Sequence, residues 1–168
     1  MRKICEMYDR ILGYLTNAAA AIAGLAILAT AFVIFYEIIA RSVFHKPTVW
    51  AMEYSTYLLI LAGFLGMAYT MRKEGHIFVD FLYSRFSTSV RRVLDTFTGI
   101  LSLFAVYVCM TESTNYVMMS KDMGIVSPSL LRVPLWIPQT FMLIGFVLLF
   151  LEIVNRLLKI WFPCGKEG

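Results

Sequence analysis

The soft and neutral-pH ligands of this 168-residue chain are few: two histidines, His45 and His76, and three cysteines, Cys5, Cys109 and Cys164. A histidine pair meeting inside a helical bundle would hold a haem through two axial nitrogens. Here the two histidines fall in different connecting segments, on opposite faces of the membrane in the topology derived below, so that pairing is disfavoured. The cysteines are far apart and form no CxxC, and thiols on a cytoplasmic face stay reduced. No nucleophile–base arrangement, phosphate loop or metal-ligand spacing is present. No catalytic residue, cofactor or metal is therefore expected. A carrier acting alone would place ionisable groups at mid-membrane depth. The polar residues within the apolar tracts, Asn17, Thr30 and Gln139, are single or near tract ends, and none is charged.

Composition explains that scarcity. Hydrophobic residues make up 60% of the chain and charged ones 15%, against about 25% charged in soluble domains. Too few charges remain to coat a water-facing surface, and mean hydropathy is +0.73. The net charge of +4 is spread between apolar tracts rather than gathered into a nucleic-acid footprint, so nucleic acid is not an expected partner.

Four tracts contain no Asp, Glu, Lys or Arg: Ile11–Tyr36, Tyr54–Met71, Thr96–Thr111 and Val133–Leu151, with 26, 18, 16 and 19 residues. About 20 apolar residues cross a hydrocarbon core as a helix, range roughly 17–25. Lipid offers no partner to a free N–H or C=O, so each tract must be helical throughout. With Val93 and Leu94 lengthening the third, the spans read 11–36, 54–71, 93–111 and 133–151 of a single all-α, four-helix membrane domain. The length and flanks of the first tract are wrong for a cleaved leader. Of the 15 Lys and Arg residues, Arg41, Lys46, Lys121 and Arg132 lie in the first and third loops. The others lie in the second loop and the tails. The positive-inside bias therefore puts both termini in the cytoplasm.

Helix ends carry the remaining polar signals. Residues Ile4 to Leu15 have one apolar and one charged face, which suits a helix lying in the interface or a plain extension of the first span. Phe78, Phe81, Leu82 and Phe86, followed by Arg85, Arg91 and Arg92, suit a short amphipathic helix on anionic lipid. Glu37 and Arg41 are four apart, a favourable pairing order. Trp50 is placed as a belt aromatic, and Glu53 opens the second helix at its positive dipole end. Ala19, Ala20, Ala23 and Gly24 on the first helix, and Gly63 and Gly66 on the second, are small-residue packing signals. Pro134 suits the first turn of the fourth helix, and Pro138, one turn on, would kink or restart it.

The run from Glu37 to Asp80 is the most specific part of the chain. It reads Glu37-Ile-Ile-Ala-Arg41, then Pro47-Thr-Val-Trp50-Ala-Met-Glu53, then Gly63-Phe-Leu-Gly66, then Arg72-Lys-Glu-Gly75-His76-Ile77-Phe-Val79-Asp80. Together with Ser127-Pro, Val133-Pro134-Leu-Trp136, Pro138 and Gly145, it resembles the small membrane subunit of the tripartite ATP-independent periplasmic (TRAP) transporters, over roughly Glu37 to Glu152. That family often has two adjacent acids after the tryptophan; here position 52 is Met and only Glu53 remains. The resemblance implies a bacterial inner-membrane protein in contact with membrane lipids. It also implies a larger membrane subunit holding the substrate and sodium sites, and a periplasmic substrate-binding protein delivering an organic acid. This chain would be a fixed scaffold beside an elevator-like transport domain. Arg41, Trp50, Glu53, Gly75, His76 and Asp80 become the candidate structural or partner-binding residues. Two other readings remain at this point: a membrane anchor of a respiratory enzyme, using His45 or His76 for haem or quinone, and a small self-assembling four-helix exporter.

Overall fold

A computed structural model describes residues 2–46, 48–73 and 87–161. Four helices account for most of them: α1 Arg2–Val43, α2 Val49–Arg72, α3 Thr88–Asp122 and α4 Trp136–Trp161. All four are long and apolar enough to cross a membrane. Among the described residues the only extended pairing is an isolated bridge between Val126 and Pro134. α2 and α4 form the middle of the array, with α1 against α2 and α3 against α4.

The helices meet through small residues. On α1 the buried line is Leu12, Thr16, Ala19, Ala23, Ala26 and Thr30, spaced alternately four and three apart. That 3.5-residue period is the seam of a left-handed helix pair. α2 answers with Ala51, Ser55, Ala62 and Leu65, all buried, and Leu58 packed beside them. The bulky residues of α1, such as Leu15, Leu25 and Phe32, point outward. This inversion of soluble-protein patterning follows from the solvent: lipid is as apolar as leucine, so close backbone approach rather than large-side-chain burial holds the helices together. The hydroxyls caught in the seam are satisfied within their own helices. Thr16, Thr30 and Ser55 donate to the carbonyls of Leu12, Ala26 and Ala51 at 2.9, 2.8 and 2.7 Å.

Between α2 and α4, Gly145 lies against the Phe64 backbone, and the Phe64 and Phe146 rings stack edge-to-face 5.3 Å apart. α3 packs against α4, its less exposed residues including Leu103, Val106, Met110 and Ser113, and Gly99 lies beneath Leu157.

Of the two readings of the amphipathic N-terminal turns, α1 shows the plain extension, being one helix from Arg2. At about 1.5 Å per residue its 42 residues reach about 63 Å, twice a hydrocarbon core of about 30 Å. Other sequence readings are corrected. α3 continues three turns past Thr111, to Asp122. It stops where Gly124 turns left-handed (φ 60°) and the Gly124 and Ile125 N–H groups return to Lys121 and Ser120, a Schellman closure. Pro134 precedes α4, and Pro138 is its third residue. In that first turn a missing N–H costs nothing, so Pro138 neither kinks nor restarts the helix. Gly63 and Gly66 meet no neighbouring atom within 4 Å of an added Cβ, so they do not mediate a helix contact within the chain. The amphipathic helix expected around Phe78–Phe86 lies outside the described residues.

The two kinds of glycine predict opposite responses. A Cβ on Gly145 would stand 2.5 Å from the Phe64 carbonyl oxygen, so Gly145→Ala should destabilise by about 1–3 kcal/mol through overpacking. Gly66→Ala should be neutral or stabilising by up to about 1 kcal/mol through helix propensity. Thermal unfolding in detergent micelles, followed by circular dichroism, checks both; equal losses would contradict the α2–α4 contact.

Candidate functional site

Polar side chains gather at the two ends of the bundle. At the end bearing the chain termini, Arg72 closes α2 and reaches both neighbouring helices. Its Nη1 donates to Glu152 Oε1 of α4 at 2.8 Å, and its Nη2 donates to Asp9 Oδ1 and the Asp9 carbonyl of α1 at 2.9 and 3.0 Å. Asn155 donates to Asp9 Oδ1 and Glu152 Oε2 at 2.9 and 3.3 Å, and Lys159 Nζ donates to Asp9 Oδ1 at 2.8 Å. The Tyr8 hydroxyl donates to the Leu151 carbonyl at 3.2 Å. Glu152 and Asn155 are buried, at 3% and 2% exposure. Two carboxylates thus face a guanidinium and an ammonium, and the cluster is neutral overall. Gly13 makes room for it: a Cβ there would lie 2.7 Å from Arg72 Nη2.

The opposite end is built from hairpin-like connections. Thr48 occupies the N-cap position of α2 without a side-chain bond to that helix, and its N–H and hydroxyl donate to Glu37 Oε2, the N–H at 3.1 Å. Glu37 therefore serves the next helix's positive end rather than Arg41. Glu53 accepts from the Tyr57 hydroxyl at 2.6 Å and from the Ser129 hydroxyl. Ser129 also accepts from the Leu131 N–H at 3.1 Å, so Glu53 ties the segment between α3 and α4 to α2. Trp50 stacks between Tyr36 and Tyr54, with centroids 5.7 and 6.3 Å away, a three-ring belt at one depth.

Of the residues singled out by sequence, Arg41, Trp50 and Glu53 share this end. Arg41 forms no ion pair with Glu53, whose partners are hydroxyls. His45 lies in the α1–α2 connection with φ 51°. Gly75, His76 and Asp80 lie outside the described residues. Sequence reasoning missed Asp9, Arg72, Glu152 and Asn155. The available signal was the polar spacing Glu152, Asn155, Lys159 on one face of α4, directly after a charge-free tract.

Chemically, these groups brace helices. Among the described residues no group of His, Cys, Asp and Glu is arranged to hold a metal ion. Asp9, Arg72, Glu152 and Lys159 pair at one end of the bundle, and the four apolar tracts carry no Asp, Glu, Lys or Arg. Such a molecule is a membrane-embedded bundle whose described charged groups join its helices at their ends.

Comparison with known proteins places it further. Residues 30–162 match the family described as tripartite ATP-independent periplasmic transporters, DctQ component, and the chain belongs to that family, the small membrane subunits of TRAP transporters. It is similar to the ectoine TRAP transporter small permease protein TeaB of Halomonas elongata, 25% identical over 84% of this chain and 75% of that protein. It is also similar to the sialic acid TRAP transporter permease protein SiaT of Haemophilus influenzae, 30% identical over 57% of this chain. There it spans only 15% of the relative's length.

The Arg72 cluster makes a quantitative expectation. Arg72→Met alone leaves the buried Glu152 carboxylate without its cation and should cost about 3–5 kcal/mol, and Glu152→Leu, which leaves Arg72 its Asp9 partner, should cost less. The double variant Arg72→Met with Glu152→Leu should cost much less than the two single losses added. Unfolding free energies for the four variants of this cycle test the pairing; additive losses would show that the two side chains act independently. Arg41→Ala should leave stability unchanged in the same assay.

Proposed function

We propose that this chain is the scaffold subunit of a sodium-driven TRAP-type uptake system for an organic acid. Its partners would be a large membrane subunit that holds the solute and sodium sites, and a periplasmic substrate-binding protein. The observation carrying this reading is the separation of charge from span: the tracts that cross the membrane carry no Asp, Glu, Lys or Arg except Asp95 near one end of the third span, whereas charged groups at the inner end clamp α1, α2 and α4 together. Moving a charged solute or an ion requires coordinating groups at depth. A braced body without them suits support rather than translocation. Family membership favours the transporter component over the respiratory anchor and the exporter. The two relatives are named for different solutes, sialic acid and ectoine, which fits a subunit that does not choose the solute. The organic-acid assignment rests on the family resemblance.

The same reading sets location and topology. The protein resides in the bacterial inner membrane with both termini and the second loop in the cytoplasm, on the strength of the Lys and Arg bias. The cluster joining Asp9, Arg72 and Lys159 then lies at the cytoplasmic interface. The group of Trp50, Glu53 and Ser129 lies at the periplasmic one.

Two measurements test the proposal. Proteoliposomes holding this chain alone should show no sodium-driven uptake above empty liposomes, while adding the large subunit and binding protein should restore it; uptake by the lone chain would overturn the scaffold assignment. Single-cysteine variants at Ser84 and Lys121 should differ in labelling by an impermeant reagent added to intact spheroplasts, with Lys121→Cys reacting and Ser84→Cys protected. The reverse pattern would invert the topology.

A further inference from the structure

Between α2 and α3, with α4 as floor, two adjoining cavities of about 560 and 320 Å³ share Met71, Ser102 and Ile153 and form one groove. Its character changes along its length. Towards mid-membrane the walls are Gly63, Gly66, Ala105, Val106 and Leu149. Towards the end where Arg72 lies, the lining includes Asp95, Thr98 and Arg156. The groove is open at Gly63 and Gly66, where nothing lies within 4 Å of an added Cβ. From Ala62 to Met71 it follows about 14 Å of helix rise, close to the roughly 15 Å depth of one leaflet, half of a core of about 30 Å.

An apolar slot one leaflet deep, ending in charge at the interface, has the polarity of a single amphiphile. A partner helix crossing the membrane would need a groove through both leaflets, without a charged stop at one end. The stop carries both signs. Arg156 offers a planar fork of N–H donors suited to a phosphate, and Asp95 offers acceptors suited to an ammonium. Both side chains also engage other groups of the protein, and Arg156 Nη1 lies 4.0 Å from Met71 Sδ. A guanidinium has five donors and a carboxylate about four acceptor sites, so further contacts are accommodated. An adjacent cation and anion complement a zwitterionic headgroup better than an anionic one.

We propose that this groove holds one phosphatidylethanolamine, with an acyl chain between Gly66 and Val106, its phosphate on Arg156 and its ammonium on Asp95. The site belongs to this chain alone and does not depend on the transport assignment. The full chain is purified in mild detergent and titrated with palmitoyl-oleoyl phosphatidylethanolamine or the matching phosphatidylglycerol, and bound lipid is counted by native mass spectrometry. Wild type should retain one phosphatidylethanolamine. Gly66→Leu, which fills open space without touching the fold, should lose it. Arg156→Gln should bind about tenfold more weakly, the loss expected for one charge-assisted contact. Asp95→Asn should weaken phosphatidylethanolamine but not phosphatidylglycerol. Equal retention by wild type and Gly66→Leu would overturn the site, and preferred phosphatidylglycerol binding insensitive to Asp95→Asn would overturn the headgroup assignment. A Gly66→Leu variant that keeps its lipid yet no longer co-purifies with a large subunit would make the groove a protein interface instead.

Discussion

Three helices converge on the guanidinium of Arg72. It closes α2, takes Glu152 from α4 and takes both the side chain and the backbone carbonyl of Asp9 from α1. Much else at that end follows from satisfying this one group. Gly13 must lack a side chain, Asn155 must bridge the two acids, and Lys159 must balance the second of them. An unpaired charge at the border of the hydrocarbon would cost several kcal/mol, so these contacts form together or not at all. The long N-terminal reach of α1 has the same origin: a helix starting at Ile11 would have no Asp9 to offer.

Away from that end, packing runs on close approach. Ala19, Ala23 and Ala26 of α1 meet Ala62 and Leu65 of α2, and Gly145 of α4 rests on the backbone at Phe64. Large side chains are left to the outside, where lipid or another protein covers them. A seam of this kind gains its stability from dispersion between well-fitted backbones, so it responds sharply to a single added methyl group and little to hydrophobicity as such.

That physics also sets what could be read from the chain alone. The number of helices was legible because backbone polar groups in lipid have nowhere to go but into a helix, and the absence of charge marks where lipid is. Facing was legible only in part: Ala19 and Ala23 are in the seam, but Gly63 and Gly66 have the same composition and look onto open space. The last turns of α3 were hidden because Glu112, Lys121 and Asp122 resemble a loop by charge, although helix formation beyond the core needs no apolarity, only the stop that Gly124 supplies. Pro138 was misread because a proline's effect depends on its distance from the first helical residue, which Trp136 defines. Arg72 was counted as a topology signal and Asp9 as part of a polar face. Their partnership spans 63 residues in sequence, and no periodicity reports a contact of that range. At the other end Trp50 and Glu53 were recognisable as helix-entry residues. Ser129 was not, because a serine in a loop carries no mark of its partner.

The two regimes are complementary in a specific way. The seam of α1 is nearly self-similar: a slip of seven residues would place Ala26 where Ala19 was and Thr30 where Ala23 was. Contacts between small side chains would lose little from such a slip, so they discriminate poorly among registers. The polar ends do not tolerate it. Asp9 would leave Arg72, Gly13 would no longer clear the guanidinium, and Glu37 would leave the Thr48 cap at the other end. A buried ionic network adds little net stability compared with well-packed apolar residues, but fixing register is its best-attested use. In this chain the apolar seam supplies the adhesion and the ionic ends supply the alignment. The scaffold role proposed above would need both, because a body that slid along its own seam could not hold a fixed face toward a partner.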